Sequence, residues 1–105
     1  MIIVTTETIP GKKIVQSLGM VKGNTVRARN IGKDILAVIK NMIGGEIEEY
    51  TKMLSESREQ ALDRMVDNAR ELGANAVVTT CFASAEIMNG AAELLVYGTA
   101  VIIED

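Results

Sequence analysis

Arg27 and Arg29 alternate on one face of an extended segment, immediately before Asn30, Lys33 and Asp34. Guanidinium groups hold carboxylates and phosphates through paired hydrogen bonds. A helix start at Asn30 would add backbone N–H groups, so the cluster suits an anion. The chain also supplies anions of its own. Glu46, Glu48 and Glu49 stand at the start of a later helix-forming run. An ion-pair network between the two clusters, within one chain or across a subunit boundary, is the favoured reading. An anion site at the arginines is the rival.

Other chemistry is thin. The chain has no His and one Cys, Cys81. Soft metals want several thiolates or imidazoles at close spacing. One thiolate cannot close a tetrahedral site, so no tight structural zinc site is expected. Cys81 reads as a small buried strand residue. Only a ring of copies could gather several Cys81 thiols at an axis. Met20, Met42, Met53, Met65 and Met88 are dispersed and read as gap-fillers rather than copper ligands. Glu46, Glu48 and Glu49 could hold a hard cation, but a helix start attracts acids for its own reasons. Without His, no Ser or Cys has the usual base, and no Gly-Lys-Ser/Thr phosphate cradle follows Gly19 or Gly23. Glu86 and Glu93 could approach across Asn89-Gly90, where like charge would raise one pKa. The alternative is two solvated carboxylates. No catalytic residue and no cofactor are assigned, and a non-enzymatic protein is expected.

At 105 residues, 48% apolar and 24% charged, the chain reads as a single globular domain, residues 1–105. Aromatics are limited to Phe82, Tyr50 and Tyr97, so the core is aliphatic. A net charge of −3 argues against a nucleic-acid partner. The lone cysteine fits a reducing, cytoplasmic setting. Ile2-Ile3-Val4 lacks the basic start of a signal peptide. The uncharged run 94–103 is too short to span a bilayer, so no membrane role is expected.

The elements that must position these groups are readable in outline. Ile2 to Thr6 suits a short strand, and Pro10-Gly11 a turn. Lys13 to Arg29 suits an extended segment, with Ile14, Leu18, Met20, Val26 and Ala28 on one face and a bulge or bend near Lys22-Gly23-Asn24. Asn30 caps a short helix over 31–43. A long helix follows from about Glu46 to Leu72, with Ile47, Tyr50, Leu54, Ala61, Met65, Ala69 and Leu72 as its stripe. Ser57 and Ala61, small and inward, allow a close approach. Gly73 is a left-handed cap. Ala74 to Met88 and Ala91 to Glu104 form a hairpin through Asn89-Gly90. The last strand is apolar on both faces. A single helix covers only one, so a second copy is expected on the other, with Leu95, Val96, Tyr97 and Val101 as interface residues.

Gly23-Asn-Thr-Val26, Arg29-Asn-Ile-Gly32 with Asp34-Ile35, Gly44-Gly-Glu46 with Tyr50-Thr51, Ala61-Leu-Asp-Arg-Met65, Leu72-Gly-Ala-Asn-Ala-Val-Val78 and Gly98-Thr-Ala-Val101 form a further set of pieces. Together they resemble the YbjQ-like family, which carries a heavy-metal-binding label. They run in order over the whole chain. The resemblance implies an α/β (α+β) fold similar to the dodecin subunit: an antiparallel sheet with one short and one long helix on one face. It also implies a ring-forming homo-oligomer, commonly a pentamer, and it supplies no mechanism. The expected protein is a cytosolic homo-oligomer with room for a small ligand between subunits. A metal-binding or metal-sensing protein, and an enzyme with a carboxylate/arginine site shared between subunits, are the alternatives.

Overall fold

The computed structural model describes residues 1–28, 48–88 and 91–105. Its elements are β1 (Ile2–Ile3), β2 (Lys13–Ala28), α1 (Glu48–Glu71), β3 (Ala76–Met88) and β4 (Ala91–Glu104). They form a four-stranded sheet in the order β1-β3-β4-β2. β4 runs antiparallel to both long neighbours, whereas β1 runs parallel to β3. The sheet is therefore mixed, not antiparallel throughout as expected. The exception arises because the chain reaches β3 through α1, and a helical crossover permits parallel pairing. The expected short helix at 31–43 lies outside the described residues, as do Asn89 and Gly90. The register Met88↔Ala91 leaves two residues to join β3 and β4.

One face of the sheet meets α1. Ser57, Ala61, Met65 and Ala69 are buried at helical spacing, against Val21, Val77, Val96 and Ala100. Leu54 and Leu72, assigned to the same stripe, are instead 41% and 45% exposed. Small side chains in mid-helix do permit close approach. A Cβ at Gly23 would collide with the backbone oxygen of Ala61 and the backbone nitrogen of Met65. The helix backbone thus rests on the strand backbone, and only glycine fits between them. The Thr25 hydroxyl donates to the Ser57 carbonyl at 3.4 Å just beyond. Gly73 ends the helix with φ +86°, the left-handed conformation expected of the cap.

β2 is one continuous strand, with no hairpin bend at Lys22-Gly23-Asn24. Its irregularities fall earlier, between Ile14 and Gln16 and between Ser17 and Gly19. Each shift reverses the alternation of side chains. The two reversals cancel, so Ile14, Met20 and Val26 share one face as expected, the one away from α1, where Met20 and Val26 are 69% and 54% exposed. Leu18, at the second shift, turns instead to the α1 side with Val21, Gly23 and Thr25.

The opposite face is covered over half its length by the chain's own N-terminal segment. Val4 and Ile9 pack with Ile14 on Ala76, Val78, Val101 and Ile103. Backbone bonds fasten the segment: Val4 N–H donates to Val77 O, Thr79 N–H to Thr6 O and Thr80 N–H to Val4 O. Asn75 locks the same end. Its side-chain amide donates to Ile103 O at 3.0 Å, and its Oδ1 accepts from Ile103 N–H at 2.7 Å. The Lys12 ammonium bonds the Asp105 carboxylate and holds its pKa below the usual value.

Candidate functional site: the bare half of the sheet

The cover stops at an irregularity in β3. The β3–β4 register shifts between Val78 and Cys81, and Thr79 sits at φ +52°, unusual for a β-branched side chain. The Thr80 hydroxyl is buried there without a hydrogen-bond partner. Beyond this seam three strands present three cross-strand rows on the face away from α1. They are Lys22–Tyr97–Cys81, Asn24–Leu95–Ala83 and Val26–Glu93–Ala85. Tyr97 is 36% exposed, and every β3 residue from Cys81 to Glu86 is exposed. Asn24 Nδ2 donates to Glu93 Oε2 at 3.0 Å, which ties two rows together. The patch mixes an aromatic ring, aliphatic side chains, one ammonium and one carboxylate. That composition suits contact with another protein surface better than bond-making chemistry.

The expected interface residues divide here. Leu95 and Tyr97 lie on the bare half. Val96 and Val101 are 0% and 2% exposed, one beneath α1 and one beneath the N-terminal segment. They are filled positions of the chain's own core and present no surface to a partner. The second apolar face of β4 is thus partly covered from within, by a segment whose reach the residue pattern did not reveal.

Cys81 is exposed, not buried; its Sγ lies 3.7 Å from the Thr79 carbonyl, within hydrogen-bonding reach. Among the described residues no group of three or more His, Cys, Asp or Glu side chains comes together. The residues of a single chain therefore do not fit a closed soft-metal site. Glu86 and Glu93 do not approach as a pair: Glu86 is level with Ala92 and Glu93 with Ala85, which places them on opposite faces. Of the arginine cluster, Arg29, Asn30, Lys33, Asp34 and Glu46 lie outside the described residues, and Arg27, Glu48 and Glu49 are described by backbone alone. No helix among the described residues is long and apolar enough to cross a membrane.

The YbjQ_1 family model, described as "Putative heavy-metal-binding", matches residues 1–104. A UPF0145 protein of Archaeoglobus fulgidus is 59% identical over 95% of this chain and 93% of its own length. One from Clostridium perfringens is 55% identical over 100% of this chain and 99% of its own. A crystal structure from Pediococcus pentosaceus, of a protein of unknown function in the DUF74 family, superposes with a TM-score of 0.64. It covers 99% of this chain and 98% of that one at 17% identity, which shows a shared fold. With its whole length matched by the family model and by relatives above half identity, this chain belongs to the YbjQ_1 (UPF0145) family.

Proposed function

We propose that the protein acts as a subunit of a cytoplasmic, non-enzymatic homo-oligomer that binds a small ligand between subunits. The observation that carries this is the unclosed surface of the single chain. A self-contained monomer of 11.3 kDa exposes about 5,700 Å². This chain exposes 7188 Å². Its radius of gyration is 17.2 Å, against about 13 Å for a compact domain of this length. The excess, roughly 1,500 Å², is close to two contact patches of about 800 Å² each, one for each neighbour in a closed ring. The bare rows around Tyr97 and Leu95 are one place where such a patch fits. A ring of five is the assembly that the family resemblance implies. Light scattering at micromolar concentration tests the proposal: a mass several times 11.3 kDa is expected, and a monomer overturns it.

A second reading follows from the exposure of Cys81 together with the family's description. Assembly could place one thiol per subunit within reach of the others and supply the soft ligands that one chain lacks. Elemental analysis of purified protein tests it. Stoichiometric metal that disappears in Cys81→Ser supports a metal role, and metal-free protein with unbound thiols removes it.

A further inference from the structure

We propose that the β3 edge from Cys81 to Glu86 is completed by a strand of a second copy of this chain, through the main-chain groups of Phe82, Ser84 and Glu86. The inference rests on the oligomeric reading above and names how the copies join.

The ladder geometry identifies these groups. Lys22 N–H donates to Asn68 Oδ1 at 3.2 Å, and the Asn24 carbonyl accepts from Arg64 Nη1 at 2.6 Å. Both groups therefore point away from β4. In an antiparallel pair the residues level with them also turn their N–H and C=O outward. Tyr97 and Leu95, level with Lys22 and Asn24, thus direct theirs at β3, where they meet Cys81 and Ala83. The intervening Phe82, Ser84 and Glu86 face the other way, off the sheet. β1 pairs only with Ala76 and Val77, and the N-terminal segment reaches no further than the amide of Thr80. Among the described residues nothing covers the edge beyond it.

The two edges of the sheet are treated differently. The β2 edge is guarded in mid-strand by Asn68 and Arg64 of α1, which occupy the groups a foreign strand would need. Among the described residues the β3 edge has no such guard. Proteins that keep an edge solitary use Lys, Pro, a bulge or a cover. Here the two register shifts flank the stretch, before Cys81 and after Glu86, leaving it regular, and Glu86 is the one charged side chain from Ala76 to Met88. Phe82, 47% exposed, adds apolar surface beside the edge. A second copy is the occupant because the excess surface matches what each subunit of a homo-oligomer buries.

Ser84→Pro tests this, since Ser84 N–H points off the sheet and its loss leaves the β3–β4 ladder intact. Native mass spectrometry should show an oligomer for the native chain. For Ser84→Pro it should show monomer, or a dissociation midpoint raised at least about tenfold, with an unchanged far-ultraviolet spectrum. A native oligomer that Ser84→Pro leaves equally tight overturns the edge pairing but not the oligomer. A monomeric native chain overturns the oligomeric reading and the pairing with it. Amide exchange in the native oligomer decides the matter if the variant fails to fold. Phe82, Ser84 and Glu86 should exchange as slowly as Cys81 and Ala83, and exchange about a hundredfold faster overturns the pairing.

Discussion

The face of the sheet away from α1 has two halves built from the same strands and finished differently. Near the chain termini, Val101 and Ile103 lie under Val4 and Ile9. Past the seam at Thr79, Leu95 and Tyr97 lie under nothing described. Both halves are apolar in sequence, so hydrophobicity alone does not distinguish a core from an interface. The difference is the length of the N-terminal segment. It spans one half of the face and is spent at Thr80.

Matched charges on the two halves test this most severely. Val101→Asp places a carboxylate in the covered half and should cost the subunit more than about 3 kcal/mol in urea denaturation. Tyr97→Asp, two rows away in spirit but exposed, should change the fold by under about 0.5 kcal/mol and act on assembly instead. Equal losses in subunit stability would erase the distinction. Ile9→Ala thins the cover itself and should cost about 2 kcal/mol, measured the same way. Gly73→Ala touches neither half. It strains the left-handed cap of α1 and should cost about 1 kcal/mol by thermal or urea unfolding. At the seam, Thr79→Gly removes a β-branched side chain from φ +52° and should stabilise by up to about 1 kcal/mol. A loss there would mean that the Thr79 side chain helps to fasten the cover. The smallest effect is expected from a chelator: one Cys and no His predict no tight structural zinc site, so the melting midpoint should not move.

Much of the fold was legible from local pattern. The helix, its glycine cap, both long β-hairpin strands and the double-faced β4 follow from periodicity and turn residues. The misreadings share a cause. Ile14, Met20 and Val26 share a face as alternation predicts, but the N-terminal segment covers that face only in part, which leaves Met20 and Val26 exposed. Free cysteines are usually buried, but the cover ends at Thr80, one residue before Cys81, which is exposed. The parallel pairing of β1 and the reach of Val4 and Ile9 depend on contacts distant in sequence. Of the candidate site, Leu95 and Tyr97 were legible as unmet apolar surface. Val96 and Val101 shared that signal and were already satisfied, one by each layer. The edge at Ser84 needed the ladder phase, which only the bonds of Lys22 and Asn24 supply.

Asn75 carries a consequence for how the protein ages. Its side chain behaves as a short length of borrowed backbone, with one donor and one acceptor matched to the two main-chain groups of Ile103. Its own backbone is engaged too: the N–H donates to Val101 O, and the carbonyl accepts from Ile2 N–H. Spontaneous deamidation would turn the donor into a carboxylate oxygen facing a carbonyl, so the hydrogen bond would become a repulsion. The same lesion through an isopeptide would lengthen the main chain at the point where three strands converge. One slow chemical event could thus loosen β1, β3 and β4 together. An old preparation should then lose its N-terminal cover before it loses its helix.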